Sequence, residues 1–247
     1  MARGVRGAGL LGSPLAGVAP LLRSPRFEVF PAGGVEDAVG EWLPAGRTVT
    51  VTASPAKGLD ATLDLTERLA GRGYRVVPHI SARLERLAEM GNPFARTGIT
   101  GYPESHPRIE DDITIQAMWD KRRHASYIVS NLCFDPVTLR RWILRIRARS
   151  VTLPLYAGLA GPVERARLLR MAAKAGAAES ARFLAGHTEW FLRMGTPGGY
   201  NPDKLLSRMA ATFSSPAAAV EGLHLFTFNQ VQQTEQWRQA LLARLGG

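Results

Sequence analysis

Thr48-Val49-Thr50-Val51-Thr52, then a helical pattern over 60–71, then Tyr74-Arg75-Val76-Val77-Pro78-His79: this stretch decides the fold class. The threonine–valine alternation has the two-residue period of a pleated strand, and the second run repeats the β-branched signal. Strand, helix and strand in one short stretch make a βα unit with a parallel sheet. Working outward, further strand runs are Phe27-Glu28-Val29-Phe30, Thr97-Gly98-Ile99-Thr100, Ser126 to Asn131, Thr152-Leu153-Pro154-Leu155-Tyr156, and Leu223 to Phe228. Helical patterns cover 110–124, 136–149, 162–175, 178–194, 202–213 and 230–245. Parallel crossovers are right-handed. This many units in 247 residues predicts an α/β fold, a closed (β/α)8 TIM-type barrel rather than an open doubly wound sheet. No Gly-rich dinucleotide fingerprint follows any strand. Only seven strands are recognisable, and one βα unit is missing near residue 84, where Leu84 to Gly91 supplies a single short helix. The expected organisation is an N-terminal arm over 1–25 and one barrel domain over 26–247.

Composition bounds the rest. The chain is 45% hydrophobic and 21% charged, as an ordinary globular protein is. No apolar run approaches the length of a transmembrane helix. A single cysteine, Cys133, forms no internal disulfide and no cysteine-based zinc cage, so the expected setting is reducing and cytoplasmic. The first 26 residues contain no acid and carry Arg3, Arg6, Arg23 and Arg26, but Gly and Pro break their apolar segments, and they read as a loose arm. The net charge of +10 suits polyanionic partners, although Arg-rich composition by itself explains it. The densest run, Arg140 to Arg149, lies on a helix and reads as a solvated face. Neither a nucleic-acid nor a membrane partner is expected.

In a parallel barrel, chemistry gathers at the C-terminal ends of the strands. Glu28 is the sharpest candidate there. It is a carboxylate inside an apolar strand, either functional as a general acid or paired with Arg26 or a neighbouring strand. Gly101-Tyr102-Pro103-Glu104-Ser105-His106-Pro107 is the second, because two prolines hold a phenol, a carboxylate and an imidazole in one rigid turn after a strand. His79 ends its strand after Pro78 and is either a ligand contact or a satisfied polar residue. Cys133 sits among apolar neighbours and reads as a small core residue. No His/Asp/Glu set has the spacing of a metal motif, so no metal is expected.

In this order, the motifs Phe27-Glu28-Val29-Phe30-Pro31, Val49 to Thr52, Val77-Pro78-His79, Gly101 to Pro107, Asn131-Leu132-Cys133-Phe134-Asp135 and His224 to Asn229 resemble those of methylenetetrahydrofolate reductases. The resemblance covers residues 26 to 240. It implies a barrel enzyme of one-carbon metabolism that reduces 5,10-methylenetetrahydrofolate to 5-methyltetrahydrofolate, with FAD as the family cofactor and NAD(P)H as hydride donor. Glu28 would be the general acid. Thr52, His79, Tyr102 and His106 would line the cofactor site, and Asn131, Tyr102 and Phe134 would meet the folate, which the positive charge would suit in polyglutamylated form.

Two departures bear on this. Trp119 and Asp120 stand where the family carries a cation pair at the flavin phosphates, which implies weak or absent FAD and direct hydride transfer from NAD(P)H, as in a flavin-independent actinobacterial branch. The missing βα unit would have carried a further aspartate. Its absence leaves a second reading, a folate-binding or regulatory barrel with impaired turnover.

Overall fold

The computed structural model describes residues 15–53, 57–79, 94–106, 109–163 and 202–246. Seven strands form one sheet: β1 (Arg26–Val29), β2 (Thr48–Thr52), β3 (Arg75–His79), β4 (Gly98–Gly101), β5 (Tyr127–Ser130), β6 (Leu155–Ala160) and β7 (Val220–Phe226). Every pairing is parallel, so all C-terminal strand ends share one edge. The order is β3-β2-β1-β7-β6-β5-β4, a ring cut once between β3 and β4. The helices are α1 (Ala19–Arg23), α2 (Val35–Trp42), α3 (Gly58–Gly71), α4 (Asp111–Lys121), α5 (Pro136–Ala148), α6 (Asp203–Phe213) and α7 (Val231–Arg244).

The closed eight-stranded barrel expected from the sequence is not what forms. Among the described residues the sheet has seven strands and two free edges, because β3 and β4 each pair on one side only. Closure needs a strand that hydrogen-bonds to both. The unit read as missing near residue 84, and the helical patterns over 164–194, lie outside the described residues.

Strand alternation sorts the two faces. Phe27, Val29, Val49, Val51, Ile99, Ile128, Leu155, Ala157, Leu159, Leu223 and Leu225 share one buried core with the inward side chains of the helices. The residues between them, Arg26, Glu28, Thr50, Thr52, Tyr156, His224 and Phe226, therefore occupy the opposite face. A doubly wound sheet has helices on both faces. Here the apolar faces of the helices converge on one.

Local chemistry explains the elements. Asp135 caps α5 by accepting from Thr138 N at 3.0 Å, and Pro136 occupies the first turn. Leu139, Trp142, Ile143 and Ile146 then recur at helical spacing on the buried side. Residues 35–42, which the sequence pattern alone does not mark as helical, form α2 after the Pro31–Gly34 turn, with Gly34 at φ +76°. Residues 16–23, inside the expected arm, are helical, and Val18 and Leu22 are buried in the core.

β6 begins three residues later than the run 152–156 suggests. Arg147 donates to the carbonyls of Val151 and Leu153 at 2.6 and 2.9 Å, holding that segment as a connection. The strand continues through Ala157-Gly158-Leu159-Ala160, which lacks a β-branched signature but is buried on both faces. Gly158 admits no side chain: a Cβ there would lie 2.1 Å from the Ser130 carbonyl and 2.8 Å from the Phe226 ring. Gly158→Ala is expected to lower unfolding stability by about 1–3 kcal/mol through overpacking. Urea denaturation measures this, and an unchanged midpoint would mean that the strands do not approach so closely.

Candidate functional site

Four strands bring one polar group together at the C-terminal edge. Glu28 on β1 places its Oε2 2.9 Å from Nε2 of His224 on β7 and 3.6 Å from Nδ1 of His79 at the end of β3. Thr52, at the end of β2, is 2.8 Å from the same His79 Nδ1. His224 is fully buried, Glu28 is 13% exposed, and His79 keeps 36% of its side chain open at the mouth. Access therefore runs from solvent past His79 to Glu28. The short Glu28–His224 contact shares one proton: either Nε2–H donates to the carboxylate, or a protonated carboxyl donates to Nε2.

Burial pulls the His79 pKa down from its ordinary 6.5 to about 4. The nearby Glu28 charge opposes this, and His224 and Arg26 add to the lowering. His79 is thus neutral at pH 7, and its Nδ1 accepts from the Thr52 hydroxyl when the ring proton sits on Nε2. In the unfolded chain it takes up a proton near 6.5, whereas in the folded chain it does so only near 4. The unfolded state therefore binds more protons in that window, and stability falls as the pH is lowered through it. His79→Gln is expected to remove this component. The wild-type chain then loses ground to the variant between pH 7 and pH 4.5 in urea midpoints, and parallel pH profiles would contradict the assignment.

Arg26 does not pair with Glu28. Its guanidinium is sandwiched between Tyr127 and Tyr156, 4.1 and 3.6 Å from the two ring centroids. Gly222 leaves room for the Tyr156 ring, since a Cβ there would lie 2.7 Å from it. Among the described residues, Glu28 has the two histidines as its side-chain partners, one of them on the neighbouring strand β7, and Arg26 is not among them.

The other candidates form a second group on the same edge. Tyr102 and His106 meet edge to face at 4.8 Å. Glu104 accepts from Phe134 N at 2.9 Å, which docks the loop after β4 onto the end of β5. The Asn131 side chain accepts from its neighbour Leu132 N at 2.8 Å. In sheet order β4 stands four places from β1, so Tyr102 and His106 belong to a different part of the mouth from Glu28. An apolar shelf joins the two groups. Phe134 packs with Leu132, Ala160 and Val163 against Phe226 and Phe228, and the Phe226 ring lies 4.8 Å edge-on from His224. Cys133 is buried, and burial with the adjacent Glu104 charge raises its thiol pKa far above the ordinary range, so it is no nucleophile at neutral pH.

His224 is the residue that sequence reasoning missed. Its signal is the one that marked Glu28: a polar side chain within the apolar run Leu223 to Phe228, on the same strand face as Phe226. The Glu28, His79 and His224 donor atoms all lie within 4.8 Å of one another, close enough to share a cation. The two short contacts, Glu28–His224 and Thr52–His79, make this a hydrogen-bonded set, and His224 Nδ1 is buried without a hydrogen-bond partner among the described residues. Metal-ligating histidines ordinarily have that second nitrogen held.

At the position of the expected flavin-phosphate cations, Arg122 stacks 3.5 Å over the Trp119 ring and donates to the Trp119 carbonyl, while Asp120 accepts from Gln116. No helix among the described residues is long and apolar enough to cross a membrane.

No family model matches the chain. The crystal structure of a short-chain dehydrogenase from Oenococcus oeni PSU-1 aligns with 85% of this chain and 98% of its own at 10% identity, with a TM-score of 0.33, too slight a similarity to assign activity. Membership of the methylenetetrahydrofolate reductase family, implied by the motif order, finds no matching family model, and among the described residues the closed barrel implied with it gives way to an open seven-stranded parallel sheet.

Proposed function

We propose that this chain is an oxidoreductase that reduces 5,10-methylenetetrahydrofolate to 5-methyltetrahydrofolate with hydride from NAD(P)H, and that Glu28 is its proton donor. The observation that carries the reading is the Glu28 carboxyl set between His224 and His79 at the C-terminal edge, with one open side. Methylenetetrahydrofolate accepts hydride poorly until a nitrogen of its five-membered ring is protonated. Proton transfer from Glu28 lets that ring's carbon–nitrogen bond break, its electron pair passing to the protonated nitrogen and leaving an iminium carbon. NAD(P)H supplies the hydride to that carbon, and the carboxylate is left with its charge.

His224 holds the carboxyl in place through Nε2, and neutral His79 with Thr52 lines the approach to it from solvent. Phe134, Phe226 and Phe228 supply an apolar shelf beside His224, suited to planar rings such as nicotinamide and pterin.

The test is oxidation of NADH or NADPH by the purified chain in the presence of methylenetetrahydrofolate, with 5-methyltetrahydrofolate identified as product. Folate binding without nicotinamide oxidation would overturn the enzymatic reading in favour of a folate-binding protein.

A further inference from the structure

Glu28 is held at its backbone as tightly as at its carboxyl, and by the same strand. The last residue pair in the β1–β7 register is Glu28 with Phe226. Beyond it β7 leaves the sheet, yet its contacts to β1 continue. Thr227 donates from both its amide, at 3.3 Å, and its hydroxyl, at 2.5 Å, to the Glu28 carbonyl. The Asn229 carboxamide then accepts from Phe30 N at 3.0 Å and donates to Phe30 O at 2.9 Å. A side-chain amide therefore takes the place of a strand residue and extends the parallel ladder past its backbone end. Asn229 N in turn donates to the Thr227 hydroxyl at 3.1 Å, so the two residues brace each other.

The brace is costly, which argues that it serves a purpose. Phe228 and Asn229 stand at φ +51° and +57°. Left-handed backbone suits asparagine but is strained for phenylalanine, and such strain persists only where the surroundings over-determine it. Here the left-handed pair aims the Asn229 amide back at β1 and the Phe228 ring at the apolar shelf.

We propose that Thr227 and Asn229 are positioning residues: they fix the backbone at Glu28 and two residues beyond it, at Phe30, so that the Glu28 carboxyl stays on His224 and at the substrate. The role of Glu28 in turnover rests on the function proposed above, whereas the geometric claim does not. Positional errors of about 1 Å cost on the order of 10²-fold in rate.

The experiment compares Asn229→Ala, Asn229→Asp, Thr227→Val and Thr227→Ser in the full chain with two readouts. The first is the side-chain ¹⁵N resonances of His224, assigned by their loss in His224→Gln, which report its contact with Glu28 and need no substrate. The second is kcat and KM for NAD(P)H oxidation with methylenetetrahydrofolate. The expected result is that Asn229→Ala and Thr227→Val shift the His224 signal and lower kcat on the order of 10-fold or more with KM little changed. Thr227→Ser, which keeps the hydroxyl, should restore both readouts. Asn229→Asp, which keeps the acceptor but loses the donor, should fall between and stands in where Asn229→Ala fails to fold. A moved His224 signal in a chain without turnover supports the positioning role and overturns the proposed reaction. An unmoved signal in folded Asn229→Ala and Thr227→Val overturns the positioning role, whatever the activity.

Discussion

Glu28→Gln is expected to lower kcat for methylenetetrahydrofolate reduction by about 10²–10⁴-fold, the range typical of a lost general acid. The substitution keeps the length of the side chain and its capacity to hydrogen-bond His224 Nε2, now 2.9 Å from the Glu28 carboxyl. It removes the proton that opens the folate ring. Binding is not expected to suffer equally, so KM should stay within about twofold, the pattern of an interaction made in the transition state alone. Stopped-flow or steady-state nicotinamide absorbance reads the rate, and the urea midpoint checks that the fold is intact. Near-normal turnover in Glu28→Gln would make the Glu28–His224 contact structural and remove the proposed proton donor.

The largest expected loss of stability is at the opposite side of the core. Glu235 and Arg238 on α7 are 1% and 5% exposed and form a two-pronged ion pair at 2.6 and 2.5 Å. The third guanidinium nitrogen donates to the Leu22 carbonyl at 2.9 Å, and Gln239 donates to Glu235 at 2.8 Å. Leu22 is fully buried. The pair thus ties α1 to α7 and satisfies a carbonyl at the end of the chain's first described helix. Arg238→Met leaves the Glu235 carboxylate buried without its cation, which costs about 3–5 kcal/mol. Replacing both, as in Glu235→Leu with Arg238→Met, removes the orphaned charge and should recover much of the loss, since apolar isosteres of a buried pair are often neutral. Urea unfolding of the two variants measures this. A single-variant loss below about 1 kcal/mol would place the pair in solvent.

Much of the sheet was legible because strand signals are local. Thr48 to Thr52 and Arg75–His79 carry their own alternation or β-branched run, and both strands appear where expected. β6 was misplaced because its second half is alanine, glycine and leucine, and burial rather than propensity makes it a strand. α2 was missed because it follows a Pro-Gly turn and spans only 8 residues.

Of the candidate site, Glu28, Thr52 and His79 were legible as polar groups at strand ends, and the structure gathers them into one hydrogen-bonded set. Tyr102 and His106 were legible as a rigid pair, and they do meet, but on a different part of the edge.

By itself the sequence determined the alternation of strand and helix, the parallel sheet that follows from it, and the presence of a carboxylate inside an apolar strand. All three rest on spacing over a few residues, which the pleat and the helical turn translate directly into a face. Tertiary structure decided whether the sheet closes, which partner Glu28 takes, and where Arg26 goes. Closure depends on what pairs with the outer edges of β3 and β4, and no local pattern states that. His224 lies 196 residues from Glu28, and the contact exists because β7 pairs beside β1. Arg26 lies two residues from Glu28 on the same strand face, yet it turns away to two tyrosines on β5 and β6. Proximity in sequence placed those two charges side by side, and the packing of aromatic rings across the sheet kept them apart.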